Sequence, residues 1–376
     1  MFVQQVVLPR SPRESWTVLH EDGRPVEPVE RYLGYLSDVE RSPNTVKAYA
    51  HDLKDWFVFL SGRSLDWRQA RLEDVGAFVA WLRLPPVARS APISVLPSVR
   101  EHCSEVTVNR KLSAVSAFYQ HAARNGVELA ELLTRWQPAG RRGTAWRPFL
   151  HHISKSQPRR RSEVRLKAPR KQPRVLAAAE AQAILDACQR LRDRLLFAVL
   201  HDTGMRIGEA LGLRHEDWAA PEGEIGVVPR DNHNGARSKS SHPRTIPASG
   251  ELFRLYGDYM HGEYGDLDSD YGDLDSDYVF VNLWAEPRGH PLSYQAAYDL
   301  VRRLRQKTQL DFDPHWFRHS YATRLLRAGA PVEVVSRLLG HASVATTDEV
   351  YGHLSSEDVR RTLEKVGWFT DKTVRL

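Results

Sequence analysis

The stretch HWFRHSYAT, residues 315–323, decides how the fold of the second half of the chain is interpreted. Pro314, directly before it, can occupy the first turn of a helix, and Asp313 can cap that helix. On such a helix His315 and Arg318, which are three positions apart, project from the same face. The sequence therefore predicts a capped helix that presents an imidazole beside a guanidinium.

Two kinds of site fit that face, a metal site and an anion site. His315 and His319 are one helical turn apart, a spacing that can bind a metal, but zinc-protease helices place Glu directly after the first His, where Trp316 stands. The permanent charge of Arg318 would also repel a cation. A guanidinium beside an imidazole suits a phosphate, because it offers paired donors and a group that exchanges protons near neutral pH. We therefore expect an anion site and no metal.

The stretch HDTGMRIGEALGLRHEDW, residues 201–218, carries a second guanidinium at a helix boundary. We expect Gly204 to end one helix and Arg206 to open the next, where free backbone donors also favour an anion. Glu209 lies three positions further on, and its carboxylate can hold the guanidinium there. Taken alone, this pattern is more often a surface ion pair.

Lys239 lies in GARSKSSHPRTIP, residues 235–247, between two predicted strands. A long cation in such a turn can reach away from the sheet, although a lone lysine is more often solvated than catalytic. Arg237 and Arg244 flank it and carry the same charge. Lys239 is the best candidate by position, and the two arginines are candidates for contact with nucleic acid.

The stretch RLLGHASVATTDEVYGHL, residues 337–354, combines a helix end with a tyrosine. Gly340 is expected to end a helix, with His341 at the break and Tyr351 on the segment that follows. A tyrosine is a poor nucleophile at neutral pH because its pKa is about 10. Clustered cations would stabilise the phenolate and make it competent. Taken singly, such a tyrosine is more often a core aromatic.

At 376 residues the chain can form two domains, each with its own core. Apolar periodicity predicts a bundle of four or five helices over residues 26–138, preceded by an N-terminal extension over 1–25. Residues 139–175 are rich in Pro and Arg, which favours an extended basic linker. Residues 176–376 are interpreted as an α-rich domain with a C-terminal tail and a small β-sheet, whose strand candidates are GEIGVVP, RTIPA and DYVFVN.

Basic residues are concentrated in one part of the chain. The net charge is +6, but between positions 137 and 175 Lys and Arg number 12 against one acidic residue, Glu163. A basic stretch on a roughly balanced chain favours a nucleic-acid partner over a purely solubilising linker. The candidate DNA-binding residues are Arg159, Arg160, Arg161, Lys167, Arg170, Lys171, Arg237 and Arg244.

Composition disfavours several other classes of protein. No run of 18 apolar residues occurs, and the N-terminus lacks the features of a secretion signal, so we expect a cytoplasmic protein without a membrane span. Only two cysteines, Cys103 and Cys188, are present, which fits a reduced compartment and two buried thiols. YGDLDSD occurs twice in tandem at 264–277 without the Gly and Glu of an EF-hand, which favours a duplicated surface loop over a calcium site.

In order, residue type and spacing, these stretches together resemble the tyrosine recombinase (phage integrase) family. TGMRIGEALGL is similar to the family's first-arginine motif, HWFRHSYATRLL to its His-x-x-Arg helix, and LLGHASVATTDEVYGHL to its nucleophile segment. The resemblance covers residues 190–355 closely. SPNTVKAYAHDLKDWFVFL, residues 42–60, is similar to the family's helical core-binding domain. The second domain looks most like the integrases and transposase subunits of mobile elements.

The resemblance implies a mainly α fold, with a SAM-like helical bundle, a basic linker and an α-rich catalytic domain with a small β-sheet. It implies a site-specific DNA recombinase that cleaves and rejoins strands through a 3′-phosphotyrosyl intermediate, without metal or cofactor. Tyr351 would attack the scissile phosphate, and Arg206 and Arg318 would neutralise its non-bridging oxygens. The other implied roles are leaving-group protonation by Lys239, proton transfer by His315, phosphate binding by His341, and support by Glu209 and His319.

The implied partner is double-stranded DNA with specific recombination sites, bound by a homo-tetramer on paired sites, with accessory recombination proteins as further partners. The implied compartment is the bacterial cytosol. Two rivals are type IB topoisomerase-like relaxation of DNA, which shares the phosphotyrosine chemistry, and a non-catalytic DNA-binding regulator of the same fold. One departure concerns His341 and Tyr351, which are ten residues apart where the family commonly has nine. One extra residue turns a helical position by about 100°, so the nucleophile segment must begin differently or bulge.

Overall fold

The structure is a computed structural model in which the chain divides into two compact units, Met1–Arg170 and Lys171–Leu376. Each unit has its own hydrophobic core. The residues that the structure describes are 1–7, 14–86, 89, 102–129, 134–137, 159–162, 164–168, 174–240, 242–265 and 276–341. Within these ranges no helix combines the length and apolar character that crossing a membrane requires.

The described part of the N-terminal unit combines a β-hairpin with a bundle of helices, as the apolar periodicity predicts for the bundle. The hairpin pairs β1 (Phe2–Val7) with β2 (Glu14–Leu19) in antiparallel register, Phe2 opposite Leu19. The helices are α1 (Glu27–Asp38), α2 (Pro43–Ser61), α3 (Leu72–Arg83) and α4 (Glu105–Arg124). The sequence predicts the helices but not the hairpin, because FVQQVV in β1 does not alternate between apolar and polar residues.

Aromatic side chains dominate the core of this unit. Trp56 of α2 is fully buried, and its Nε1 donates to the Tyr119 hydroxyl at 3.3 Å. That hydroxyl donates in turn to the carbonyl of Trp67 at 2.6 Å, so both polar atoms are paired inside the core. Ser42 caps α2 by accepting a hydrogen bond from the backbone N–H of Thr45.

Two segments that the sequence sets outside the bundle contribute to this unit. Val18, in the predicted N-terminal extension, is fully buried in the helical core. In the predicted linker, β4 (Arg159–Ser162) pairs with β3 (Thr134–Gln137), and Leu166 exchanges two backbone hydrogen bonds with the Asn109 side chain. Neither segment has helical periodicity, so its attachment depends on tertiary contacts that local sequence does not reveal.

The C-terminal unit combines a small antiparallel sheet with helices, which confirms the predicted fold class. The strands, adjacent in this order, are β5 (Trp218–Ala219), β6 (Glu224–Val227) and β7 (Arg244–Pro247). The helices are α5 (Ala178–Ala187), α6 (Leu191–Thr203), α7 (Ile207–Ala210), α8 (Gly250–Tyr259), α9 (Tyr294–Thr308), α10 (Pro314–Arg327) and α11 (Val332–Leu339).

Aromatic side chains pack α10 against α6 in this core. The Phe197 ring of α6 lies 5.7 Å from the Phe317 ring of α10 and 5.9 Å from the Phe312 ring, between centroids. Such pairs add to the burial of their surface. Cys188 here and Cys103 in the other unit are buried free thiols, as predicted.

The segment DYVFVN, residues 277–282, does not form the predicted strand. It makes only isolated bridges, between Tyr278 and Arg214 and between Val281 and Pro291. Its apolar residues are nevertheless fully buried. A short continuous apolar run indicates burial more reliably than strand pairing, and here only the burial is realised.

Candidate active site

Three elements of the C-terminal unit line an open cleft of about 930 Å³. They are the N-terminal end of α7, the β6–β7 hairpin with its turn, and the C-terminal end of α11. The lining side chains that are basic are Arg206, Lys239, His242, Arg244, Arg337 and His341. The fixed charges of Arg206, Lys239, Arg244 and Arg337 outnumber the one carboxylate of the lining, Glu224, so the cleft attracts an anion.

Arg206 stands at the N-terminal boundary of α7, as the sequence predicts. Gly204 ends α6 at φ +64°, and a Cβ there would lie 2.4 Å from the Tyr321 ring, so conformation and space both require glycine. The Arg206 Nη1 donates to Glu209 Oε1 at 3.0 Å, and its backbone N–H donates to Oε2 at 3.0 Å. Glu209 thus binds both the backbone and the guanidinium of Arg206 and holds the side chain at the wall of the cleft.

Glu209 is 4% exposed and binds two arginines. Besides Arg206, it receives Arg244, whose Nη2 donates to Oε2 at 2.7 Å and whose Nη1 donates to Oε1 at 3.3 Å. Burial alone would raise the pKa of this carboxyl, but the hydrogen bonds and charges of Arg244 and Arg206 outweigh it and lower the pKa. Glu209 is therefore ionised, and it binds Arg244 in addition to Arg206, the partner that the sequence predicts.

Arg318 lies on α10 with only 1% of its surface exposed. The helix begins as predicted, with Pro314 in its first turn and the Asp313 carboxylate accepting from the backbone N–H of His315 at 2.8 Å. The Arg318 Nη1 donates to the Gly204 carbonyl at 3.0 Å, and Nη2 donates to the Leu339 carbonyl at 2.6 Å. The guanidinium therefore joins the end of α6 to the end of α11.

His315 and His319 contact each other, with ring centroids 4.4 Å apart in an edge-to-face arrangement. Burial, the neighbouring His315 and the charge of Arg318 lower the pKa of His319 to about 4. Partial desolvation and then the charges of Arg318, Arg206 and Lys239 lower the pKa of His315, which places that ring within the same positive field. Among the described residues, no three His, Cys, Asp or Glu side chains are arranged to share a metal ion.

Lys239 differs from the two arginines that flank it in sequence. It is exposed in the turn between β6 and β7 and lines the cleft together with Arg206 and His341. Arg244 is 8% exposed at its side chain and is bound to Glu209. The structure thus brings Lys239 to the site with its ammonium group in solvent, and it places Arg244 in the wall beneath.

His341 is brought to the same cleft by the end of α11. Gly340 adopts φ +63°, and the His341 backbone N–H donates to the Ser336 carbonyl at 3.1 Å, so the helix ends as predicted. Burial and then the charges of Arg318, Arg206 and Arg244 lower the pKa of His341 to about 4. Tyr351 lies outside the described residues.

The predicted DNA-binding residues are distributed over both units. Arg159, Arg160 and Arg161 lie on β4, and Lys167 follows in the described segment 164–168. Arg237 is half-buried in the β6–β7 turn. Arg170 and Lys171 lie outside the described residues.

His242 and Arg337 also line the cleft, and neither is among the site residues predicted from the sequence. Arg337 lies in the last turn of α11, three positions before Gly340, where a cation is favoured by the helix dipole, so a local signal exists. His242 lies in an irregular turn and gives no comparable signal.

The lowered histidine pKa values predict acid sensitivity of the C-terminal unit. A group whose folded pKa lies near 4 and whose unfolded pKa lies near 6.5 stabilises the fold above pH 6.5, and this contribution is lost as pH falls toward 4. We expect the thermal unfolding midpoint of this unit to fall between pH 7 and pH 5. In a His319→Gln variant the fall should be smaller, whereas His233→Gln, at an exposed position, should behave like wild type. A midpoint that is equal at both pH values would contradict the prediction.

Comparison with known proteins places these features in a family. The sequence model of the phage integrase family matches residues 174–358, and that of the phage integrase N-terminal SAM-like domain matches residues 29–126. Transposase A from transposon Tn554 of Staphylococcus aureus is 36% identical over 367 residues, which cover 97% of this chain and 98% of that protein. Tyrosine recombinase XerC of Roseiflexus castenholzii is 26% identical over 340 residues, covering 88% of this chain and 90% of that protein.

Solved structures show the same fold. The Tn1549 transposon integrase in complex with circular intermediate DNA aligns with a TM-score of 0.57 at 15% identity, covering 89% of this chain and 98% of that one. The XerH site-specific recombinase bound to palindromic difH substrate aligns with a TM-score of 0.55 at 19% identity, covering 88% and 81%. Since both family models match and a relative of nearly equal length is 36% identical, the chain belongs to the phage integrase family of tyrosine recombinases.

Proposed function

We propose that this protein is a site-specific DNA recombinase that cleaves and rejoins DNA strands through a 3′-phosphotyrosyl intermediate. The observation that carries the proposal is the convergence of Arg206, Lys239 and His341 on one cleft, with Arg318 bound to the carbonyl of Leu339 beside it. Such a cluster supports phosphoryl transfer, because fixed positive charges would stabilise the negative charge that develops on the phosphate. Membership of the family supports the same chemistry.

In the proposed reaction the phenolic oxygen of Tyr351 forms a bond to phosphorus while the bond from phosphorus to the 5′-oxygen breaks. Arg206 and Arg318 neutralise the non-bridging oxygens as their charge increases. Lys239 gives a proton to the departing 5′-oxygen, and His315 assists the loss of the phenolic proton. The phosphotyrosyl bond keeps the energy of the broken phosphodiester, so rejoining needs no metal, nucleotide or other cofactor.

The lowered pKa of His341 determines the role that we propose for its side chain in binding the phosphate. At neutral pH its imidazole is uncharged in the DNA-free protein, so it offers one N–H donor and one acceptor nitrogen. We assign the N–H to a phosphate oxygen. Glu209 keeps Arg206 in place, and His319, which contacts His315, supports that ring.

The proposed partner is double-stranded DNA with specific recombination sites. The basic residues between positions 137 and 175 supply charge for contact with its backbone. We propose that the protein acts as a homo-tetramer on paired sites and that accessory recombination proteins assist it. The relative named as a transposase supports action at the ends of a mobile element.

Covalent capture tests the proposed function and identifies the DNA site in the same experiment. Nicked suicide fragments prepared from the DNA on either side of the gene are incubated with the full chain, and adducts that resist detergent are recovered and sequenced. We expect wild type to form an adduct on a small set of fragments. Absence of any adduct would contradict the proposed function and favour a non-catalytic DNA-binding regulator of the same fold.

A supercoiled plasmid without a captured site separates recombination from general relaxation of DNA. A site-specific recombinase should leave such a plasmid supercoiled and act on a plasmid that carries paired sites. Efficient relaxation of the plasmid without sites would instead favour the chemistry of a type IB topoisomerase.

Replacement of Lys239 by Ala should slow cleavage of normal DNA by on the order of 100-fold, because an alkoxide leaves poorly without a proton donor. A substrate with sulfur in place of the bridging 5′-oxygen releases a thiolate, whose conjugate acid has a pKa near 8.5 and which needs no proton. On that substrate the loss should shrink to within about 10-fold. Single-turnover cleavage measures both rates.

The matched control for this substitution is Lys307→Ala. Lys307 lies on α9 of the same unit, and its ammonium donates to the Ala187 carbonyl at 2.7 Å, away from the cleft. Its removal should leave both rates unchanged. Equal losses on the oxygen and sulfur substrates in Lys239→Ala would remove Lys239 as the proton donor.

A further inference from the structure

Arg244 joins its own strand, β7, to two helices of the C-terminal unit, α7 and α11. It begins β7, and its side chain is 8% exposed. Its Nη2 and Nη1 donate to Glu209 of α7 at 2.7 and 3.3 Å, while its Nε donates to the Leu338 carbonyl of α11 at 2.9 Å. All three nitrogens of the guanidinium are therefore used inside the protein.

The guanidinium also lies directly against Gly340, the residue before His341. A Cβ built on Gly340 would lie 2.8 Å from the Arg244 Nη1 and 2.9 Å from its Cζ, closer than a side chain can approach. The absence of a side chain at this helix end thus lets the arginine pack under the turn that carries His341. Contact and hydrogen bond together fix the turn relative to Glu209.

We infer that Arg244 is a positioning residue for strand cleavage, which sets the distance between Arg206 and His341 by holding Glu209 and the end of α11 together. The inference rests on the proposed function. Arg206 is held by the same Glu209 carboxylate. Glu209 therefore positions Arg206 directly on one side of the proposed phosphate-binding cleft, and it positions His341 on the other side through Arg244.

An arginine suits this position better than a lysine. Its planar group donates in two fixed directions at once, toward the carboxylate and toward the Leu338 carbonyl, whereas an ammonium is a single point charge. The buried Glu209 carboxylate also needs a partner that stays charged, and a guanidinium does so at any pH at which the protein is folded. A lysine at position 244 could pair with Glu209 but would not also hold α11 in the same geometry.

Arg244 contributes to the electrostatic field at His341 as well. The other charged and titratable groups that face this imidazole or line the same cleft are Arg206, Arg318, His315, His319, Lys239, His242, Arg337 and Glu224. Removing one cation from this set should raise the pKa of His341 toward its ordinary value. That change gives a readout that general loss of stability would not produce.

The test compares full-length Arg244→Met and Arg244→Lys with wild type on a captured DNA site. In Arg244→Met we expect single-turnover cleavage to slow by roughly 10- to 100-fold, the scale of a misplacement of about 1 Å at a reacting centre. DNA affinity in a gel-shift assay should change by less than about 3-fold, because the Arg244 side chain is 8% exposed and its three nitrogens are bonded inside the protein. Arg244→Lys should recover only part of the rate.

A second measurement follows His341 directly. NMR titration of the DNA-free protein should show a higher pKa for His341 in Arg244→Met than in wild type. The matched control is Arg230→Met, since Arg230 binds the buried Asp217 at 2.7 and 2.8 Å in the same unit but does not line the cleft. This control should lose stability while keeping the cleavage rate and the His341 pKa of wild type.

The outcomes separate the two proposals. A wild-type cleavage rate in Arg244→Met overturns the positioning role. The role is also overturned if Arg244→Met and Arg230→Met slow cleavage equally and the pKa of His341 stays unchanged in Arg244→Met. If Arg244→Met does not fold, Arg244→Lys decides: full wild-type cleavage would overturn the role. If wild type itself forms no adduct, the proposed function fails, and the role of Arg244 in cleavage fails with it.

Discussion

A Tyr351→Phe variant is expected to form no covalent adduct on DNA that wild type captures. The substitution removes the one oxygen that would be joined to phosphorus and leaves the ring, so the loss tests chemistry with little change in shape. Binding of the same DNA in a gel-shift assay should persist, because the cationic cleft is intact. Detergent-resistant adducts measured on a suicide substrate give the result.

Tyr321→Phe is the matched control for this prediction. Tyr321 is the other tyrosine near the motif, and the structure buries its ring against Gly204, with 6% of the residue exposed. Its phenylalanine variant keeps that packing and should retain adduct formation. If Tyr351→Phe still forms the adduct, Tyr351, which lies ten residues after His341, is not the nucleophile. Peptide mapping of the adduct would then locate the true nucleophile.

An Arg318→Ala variant should lose at least about 3 kcal/mol of transition-state stabilisation, on the order of 100-fold or more in cleavage rate. An equivalent loss is expected for Arg206→Ala. The guanidinium of Arg318 is a fixed cation that needs no rearrangement as charge builds on the phosphate. Single-turnover cleavage, compared at equal folded fraction, measures the effect.

Arg318→Ala should also destabilise the protein, and the two effects must be separated. It leaves the carbonyls of Gly204 and Leu339 without this donor, at a cost of about 1–3 kcal/mol for each carbonyl that stays unpaired. Arg324→Ala on the same helix is the control, since Arg324 contacts only His201 and the Tyr321 ring in the described hydrogen bonds and ring contacts. Unchanged cleavage in folded Arg318→Ala would remove this residue from the proposed mechanism.

Local rules were sufficient for much of the site. The Asp313 cap and Pro314 fix where α10 begins, and the left-handed glycines Gly204 and Gly340 fix where α6 and α11 end. Each signal lies within five residues of the residue it positions, so the sequence predicts the placement of Arg206, Arg318 and His341 along their elements. These local signals do not predict that the three side chains lie close together in space, and only the resemblance to a known family predicts that.

What the sequence could not supply is the partner of each charge. Arg237 and Arg244 flank the same turn and carry the same charge, yet Arg244 is buried against Glu209 and Arg237 is half-buried in the turn. The distinction depends on α7, which is more than 30 residues away in the chain. For the same reason the sequence does not predict the burial of Val18, because that burial requires the β1–β2 hairpin to pack on the helical core.

The carbonyl of Leu339 has a consequence for how this region can vary in evolution. Arg318 donates to it at 2.6 Å and Arg206 approaches it at 3.5 Å, so one backbone oxygen is common to both guanidiniums. Because a backbone atom is present whatever the side chain, substitution at position 339 leaves this anchor in place. Insertions or deletions within α11 do not, since a one-residue shift turns the helix end by about 100° and moves the carbonyl away from both arginines. Natural variants should therefore change residue type along α11 freely on its exposed face while keeping its length.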